Sequence, residues 1–223
     1  PYFEQWNQNQ GIAVYSATVP AGPPETLEFT NVNDYAQVYL NGEPVGTLDR
    51  RLGQKSVELP ERKKPGTLEA MGHINFHISM ESDRKGLHGP VKLGTRELKN
   101  WTVRALPLKA DSIVQAPKGK GPSRKREGAH FRAVVNIEEP QDTFLDMSRY
   151  AKGYVWVNGV NVGRYWNVGP QLRLYVPAPF LKKGENVIDV LDLHEKEPKP
   201  IRGMKERNKE PGKIDTKNLD NQW

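Results

Sequence analysis

Two short stretches of the chain carry the same pattern and decide the fold class. Residues 35–50 read YAQVYLNGEPVGTLDR, and residues 152–166 read KGYVWVNGVNVGRYW. Both contain Val-x-x-Asn-Gly-x-x-Val-Gly, from Val38 to Gly46 and from Val155 to Gly163. An internal repeat indicates the architecture before any single residue is interpreted. The repeat predicts two related β domains in tandem.

Each copy of the repeat is predicted to be a β-hairpin. A two-residue type I′ turn needs positive φ at both central positions, and Asn-Gly tolerates this conformation best. Asn41-Gly42 and Asn158-Gly159 are therefore expected to form the turns, each followed by a short strand that ends near Gly46 or Gly163.

Strand patterns dominate the rest of the chain. Residues 131–137 alternate, with Phe131, Ala133, Val135 and Ile137 on one face. Further strands are predicted at residues 14–19, 27–29, 36–40, 55–59, 74–78, 101–106, 143–147, 154–157, 172–176 and 186–193. No stretch combines a helical period with capping residues, so the fold class is all-β.

Composition divides the chain into a first domain at 1–108, a linker at 109–128, a second domain at 129–194 and a charged tail at 195–223. The linker is rich in Gly, Pro and Lys, a composition that buries little and orders poorly. The second domain offers only five or six strands, whereas a jelly roll has about eight. We therefore expect it to borrow Ile113–Gln115 or part of the tail.

Composition also bears on partners and compartment. The absence of cysteine excludes disulfides and cysteine-ligated zinc, and no run approaches the ~20 apolar residues of a membrane helix. The net charge of +6 is concentrated in the linker, whose basic run has no aromatic residue. That pattern favours a solvated linker over nucleic-acid binding. The start at Pro1 rather than Met leads us to expect a processed piece of a longer protein, or alternatively a trimmed but complete one.

No catalytic, metal or cofactor site is predicted. Glu138 and Glu139 are adjacent on a strand and point to opposite faces, and Asp189 and Asp192 diverge for the same reason. His73 and His77 would share a strand face but stand ~13 Å apart, too far to bind one ion.

The best candidate binding cluster is aromatic and lies in and after the second repeat. Besides Tyr154 it comprises Trp156, Arg164, Tyr165, Trp166 and Asn167. Large aromatic side chains dominate cores and interfaces, so one interpretation is core packing or docking onto another domain. The other is carbohydrate contact, since sugars bind aromatic faces and planar polar side chains.

Several longer motifs resemble a known family. Residues 152–171 (KGYVWVNGVNVGRYWNVGPQ), 174–188 (LYVPAPFLKKGENVI) and 142–148 (DTFLDMS) resemble the last β domain of glycoside hydrolase family 35 β-galactosidases. Residues 46–51 (GTLDRR), 71–76 (MGHINF) and 83–91 (DRKGLHGPV) resemble the β domain that precedes it. The resemblance covers residues 10–194 and departs from the family at His73, where Arg is expected, and in the basic linker.

The resemblance implies two tandem jelly-roll, galactose-binding-domain-like β-sandwiches. In that family they follow a catalytic (β/α)8 barrel, which needs about 250 residues and cannot fit here. The chain is thus expected to be a non-catalytic accessory region whose partner is the missing barrel, with carbohydrate as a second partner and with export to the periplasm or the extracellular space. The alternative is a free-standing carbohydrate-binding module for galactosides or related glycans.

Overall fold

The computed structural model describes residues 3, 11–63, 66–71, 85–106, 108–115 and 128–208. The chain divides between Leu108 and Lys109 into two compact units. The predicted strand at 74–78, with His73 and His77, lies outside the described residues.

The first unit contains nine described strands in two antiparallel sheets. They are β1 (Ile12–Val19), β2 (Glu25–Asn33), β3 (Tyr35–Leu40), β4 (Glu43–Asp49), β5 (Ser56–Leu59), β6 (Gly66–Met71), β7 (Gly86–Leu93), β8 (Arg96–Glu97) and β9 (Thr102–Leu106). The sheet orders are β4-β3-β6-β1-β9 and β5-β2-β7-β8. Val38 from one sheet and Leu27 and Phe29 from the other belong to one buried cluster, so the two sheets form a sandwich.

The second unit is a smaller sandwich of two antiparallel sheets. Its strands are β10 (Ala129–Ile137), β11 (Thr143–Asp146), β12 (Lys152–Val157), β13 (Val160–Trp166), β14 (Arg173–Val176), β15 (Gly184–Asp192) and β16 (Arg202–Met204). The sheet orders are β10-β15-β12-β13 and β14-β11-β16. Val155 and Val190 from the first sheet pack with Leu145 and Leu174 from the second. The predicted all-β fold with two tandem sandwiches is confirmed.

The two Asn-Gly hairpins are equivalent down to a local irregularity. The turn residues have positive φ in both copies, 53° at Asn41 and 49° at Asn158, with 84° and 82° at the following glycines. Each hairpin also shifts register at the same repeat position, after Val38 in β3 and after Val155 in β12. The turn chemistry and the bulge are therefore properties of the repeated sequence.

Two segments outside residues 129–194 join the second unit. A short helix, α1 (Ala110–Val114), lies in the predicted linker, and Arg132 Nη2 donates to the carbonyl oxygens of Ile113 and Val114, each at 3.0 Å. β16 lies in the predicted tail and pairs with β11. Tyr150 Oη donates to Lys199 O and accepts from Lys199 N, both at 2.9 Å, and so fixes the approach to β16.

Candidate functional site

The predicted binding cluster divides according to strand alternation. Trp156 on β12 and Tyr165 on β13 have 0% and 1% of their surface exposed. Tyr165 points into the sandwich, where its hydroxyl donates to Asp192 Oδ2 at 2.8 Å. Trp156 lies on the opposite face beside Tyr154, with 6.0 Å between the ring centroids. Both are packing residues, because a sugar cannot stack on a ring that has no exposed face.

Arg164 and Trp166 are brought together on the same face of β13. Lys152 Nζ sits 3.6 Å from the centroid of the Trp166 ring, and Arg164 Cζ lies 6.0 Å from it. Cations over an indole face are attracted by the ring quadrupole. Trp166 and Arg164 are half-buried, and Asn167 is exposed just beyond the strand, with its backbone N–H donating to Ala151 O at 2.7 Å.

The two neighbouring carboxylates of β15 serve separate structural networks. Asp189 has no exposed surface, and its Oδ1 lies 2.8 Å from His130 Nε2 and 2.7 Å from Arg132 Nε. Asp192 is equally buried and accepts from Tyr165 and from the backbone N–H groups of residues 151, 194 and 195 at 2.8–3.0 Å. Buried charges need pairing and hydrogen bonds. Both oxygens of Asp192 and Oδ1 of Asp189 have such partners, whereas Asp189 Oδ2 is buried without a hydrogen bond to any described residue.

A cavity of about 610 Å³ opens between the two sheets of the second unit. The alternating side chains of β10, from Phe131 to Ile137, line one wall as their pattern predicted. The segment 198–201 lines another. The lining is mainly apolar and includes Leu145, Val157 and Val190 of the buried cluster between the sheets.

A second cavity, of about 500 Å³, lies on the outside of the three-stranded sheet. Alternation turns Leu145 and Leu174 into the core and leaves Phe144 and Tyr175 facing outward. These two residues are direct cross-strand partners, and their ring centroids are 5.2 Å apart. We call this region, comprising Phe144, Tyr175, Arg173 and Arg207, the outer-face site.

A carboxylate beside the outer-face site holds the tyrosine ring in place. Tyr175 Oη donates to Asp142 Oδ2 at 2.6 Å, and Ala178 N donates to Asp142 Oδ1 at 2.8 Å. These two bonds lower the pKa of Asp142, and the same carboxylate raises the pKa of the Tyr175 hydroxyl. Tyr175 therefore keeps 47% of its surface exposed while its hydroxyl is anchored.

Arginines flank the aromatic pair. Arg173 Nη1 donates to Glu206 O at 3.0 Å, and its Nε lies 3.8 Å from Asp146 Oδ2. Burial opposes ionisation of Asp146, but hydrogen bonds from Ser148 and the charges of Arg173 and Arg202 outweigh it and lower its pKa. The charged residues that line the cavity, within the described part of the chain, are Arg173 and Arg207.

Sequence reasoning missed the outer-face site. Its signal was the pattern Phe-Leu-Asp at 144–146 and Arg-Leu-Tyr at 173–175, in which an apolar residue faces the core and its neighbours do not. The cross-strand register that aligns the two patterns is a tertiary property and is absent from either segment alone.

The described residues contain no group of three or more His, Asp or Glu side chains placed to hold a metal ion. Over the same residues, no helix is long and apolar enough to cross a membrane.

Both units match families of known proteins. Residues 1–108 match the family described as the first all-beta domain of beta-galactosidase, and residues 129–186 match its galactose-binding domain. The chain is 37% identical over 180 residues to a beta-galactosidase of Xanthomonas manihotis, covering 78% of this chain and 29% of the relative. It is 33% identical over 168 residues to the human beta-galactosidase-1-like protein 2, covering 73% of this chain and 26% of that protein.

The chain thus spans less than a third of the length of these relatives. Among solved structures, the match to the apo form of a Pleurotus ostreatus lectin covers 83% of this chain and 68% of the lectin chain, at 14% identity and with a TM-score of 0.25. The family matches fall on the two sandwiches in the order in which the chain presents them. This chain belongs to the beta-galactosidases, of which it carries the first all-beta domain followed by the galactose-binding domain.

Proposed function

We propose that this chain is a non-catalytic accessory region of a retaining β-galactosidase of glycoside hydrolase family 35. The observation that carries the proposal is coverage: both family matches describe β domains, and the chain spans less than a third of its relatives. A catalytic barrel needs about 250 residues. We assign the chemistry to the part of such a protein that lies outside these 223 residues.

The carboxylates of the described residues support this assignment. A retaining glycosidase needs two carboxyl groups about 5 Å apart that are available to the substrate. Among the described residues, the buried aspartates are Asp49, Asp189 and Asp192. Asp49 caps the 3-10 helix at Arg50–Leu52 and pairs with Arg51, while Asp189 and Asp192 hold the networks described above. Each is committed to a structural partner.

The role we propose is to support a catalytic (β/α)8 barrel of the same protein and to shape the approach of substrate to it. The protein would act after export, in the periplasm or outside the cell.

The test is a hydrolysis assay with a chromogenic β-galactoside, o-nitrophenyl β-galactoside, on the purified chain. We expect no turnover above buffer and above a mock purification from cells that lack the gene. Turnover that co-purifies with the folded chain and survives further purification would reject the accessory role.

A second candidate is a free-standing carbohydrate-binding module for galactosides. It is supported by the match to a galactose-binding domain and by the position of Arg164, Trp166 and Asn167 at one end of β13. Calorimetry with lactose tests it. Binding that is lost in Trp166→Ala but retained in Val160→Ala, a substitution at an exposed residue of the same strand, supports this candidate. Absence of heat at millimolar lactose rejects it.

A further inference from the structure

We propose that the outer-face site binds an anionic saccharide unit, such as a uronate, by stacking its ring on Tyr175 and pairing its acid group with Arg173. This inference rests on the second candidate above, that the chain contacts carbohydrate, but it uses a different site and a different ligand class. The residues of the two sites lie on different sheets, so the two ideas can fail separately.

The size of the cavity suits one or two sugar rings. Ligand pockets typically enclose 300–1,000 Å³, and this one has about 500 Å³. Its wall combines two aromatic rings with the side chains of Gln171 and Asn208. Exposed aromatic faces can pack against the apolar side of a sugar ring, and planar amides can hydrogen-bond to the hydroxyl groups around its rim.

The aromatic surface of the outer-face site is exposed, and hydrogen bonding and packing already fix its position. Tyr175 is the exposed member of the pair, and its hydroxyl is held by Asp142 at 2.6 Å while the ring packs against Phe144. The side chain of Asn208 donates to Pro170 O at 2.9 Å across the cavity rim. A site that is already ordered loses less conformational entropy on binding.

Charge selects the ligand class. The charged residues among the described lining are Arg173 and Arg207, and no carboxylate lines the cavity there. Two nearby acids lie outside this lining: Asp142 accepts from Tyr175 and Ala178, and Asp146 accepts from Ser148 and forms a longer ion pair with Arg173, with 3.8 Å between Asp146 Oδ2 and Arg173 Nε. A guanidinium pairs with a carboxylate or sulfate through two parallel hydrogen bonds. The cavity therefore favours an acidic sugar over a neutral one.

The experiment is a titration of the whole chain with trigalacturonate and, in parallel, with neutral galactotriose, followed by calorimetry and by backbone amide shifts. We expect trigalacturonate to shift the amides around residues 144 and 173–175 and to bind at least about tenfold more tightly than galactotriose, since one charged hydrogen-bonded pair contributes that much.

Three variants locate the site. Tyr175→Ala and Arg173→Gln should each weaken trigalacturonate binding about tenfold or more. Arg149→Gln removes one exposed charge from the same unit and should leave binding unchanged. The folded state of each variant is checked by its amide spectrum. Tyr175→Phe, which keeps the ring, should retain most of the affinity.

Several outcomes overturn the proposal. Equal affinity for the neutral and acidic trisaccharides would show that the site does not select acidic sugars. Binding that survives both Tyr175→Ala and Arg173→Gln places the ligand elsewhere. Binding of hexaglutamate as tight as that of trigalacturonate, and insensitive to loss of the Tyr175 ring, identifies the surface as a docking site for acidic polypeptide. Loss of lactose binding in Trp166→Ala bears only on the second candidate function, the carbohydrate-binding module, and not on the outer-face site.

Discussion

The side-chain amides of Asn158 and Asn186 interlock, with Asn158 Nδ2 2.8 Å from Asn186 Oδ1. Asn158 Nδ2 also donates to Phe180 O at 2.8 Å, and its Oδ1 accepts from Val187 N at 2.9 Å. Asn186 has no exposed surface, and its amide bonds to Lys182 and Gly184. The turn residue of the second hairpin is thereby tied to the start of β15, whereas its repeat counterpart Asn41 is exposed.

This difference gives a matched pair of substitutions. Asn158→Gly keeps the positive φ of the turn but removes three hydrogen bonds, so we expect it to lower the free energy of unfolding of the second unit by roughly 2–4 kcal/mol. Asn41→Gly makes the same change where the side chain is exposed and should cost less than about 1 kcal/mol. Urea unfolding followed by amide spectra measures both. Equal costs would contradict the assignment.

Gly153 on β12 is predicted to tolerate no side chain. A Cβ there would collide with the carbonyl oxygen of Leu191 on the adjacent strand and would lie 2.7 Å from Tyr165 Oη. The obstacle is backbone, so Gly153→Ala should cost more than about 4 kcal/mol or prevent the second unit from folding. At Gly203 on β16 the nearest atom is a hydroxyl oxygen, Thr143 Oγ1 at 3.0 Å. Gly203→Ala should therefore cost only about 1 kcal/mol, and thermal unfolding by circular dichroism compares the two.

The buried hydroxyl of Tyr165 is predicted to make the second unit sensitive to alkali. Burial, followed by the nearby Asp192 charge, raises the pKa of Tyr165 far above its ordinary value. The folded state therefore keeps a proton that the unfolded chain loses above pH ~10. Stability from this group is intact below that pH and declines above it, by up to about 1.4 kcal/mol per pH unit.

Tyr165→Phe tests this sensitivity. At pH 7 the variant loses one hydrogen bond to a carboxylate, which costs about 1.5–3 kcal/mol. Between pH 10 and 11.5 its free energy of unfolding should fall less steeply than that of the parent chain. Parallel slopes would show that Tyr165 does not carry the effect. Tyr150, whose pKa is also raised by burial, contributes to the slope in both proteins.

The hydrogen bond between Tyr175 and Asp142 predicts a shift that can be read directly. Tyr175→Phe removes the largest cause of the lowered pKa of Asp142, so the pKa should rise toward its ordinary value of about 3.9. Because the folded-state pKa is lowered, the bond stabilises the unit above pH ~4, and this contribution is lost as pH falls below that value. Carboxyl carbon NMR measures the titration. Asp146, whose pKa depends on burial, on Ser148 and on two arginines, should titrate unchanged and serves as the internal control.

Local chemistry explains which parts of the fold could be predicted. The Asn-Gly turns were predictable because those two residues readily adopt positive φ. The alternation of β10 was predictable because it depends only on residues of one strand. The sequence led us to expect that Ile113–Gln115 or part of the tail would join the second unit, but the helical form of α1 and the register of β16 were not predictable, since five and three residues carry no periodic signal of their own. They are held by Arg132 and by pairing with β11, interactions with residues far along the chain.

The candidate site divides in the same way. The sequence singled out Trp156 and Tyr165 because large aromatics are conspicuous, yet both are buried: alternation turns Tyr165 into the core, and Trp156 is covered on the opposite face of the sheet. Phe144 and Tyr175 lie 31 positions apart and become one surface only through the register of β11 and β14. Aromatic content alone cannot distinguish a ring that packs from a ring that is presented to solvent.

The hydrogen bonds between Tyr150 and Lys199 determine where the second unit can be cut if it is expressed alone. The galactose-binding match ends at residue 186, near the start of β15. A fragment cut there would lose most of that strand, the segment that is hydrogen-bonded to Tyr150 and the whole of β16, leaving β11 as an open edge. Exposed, unpaired strand edges template aggregation. The minimal soluble fragment is expected to begin near Lys109 and to extend past Met204, so its useful borders are defined by hydrogen bonds rather than by recognisable sequence.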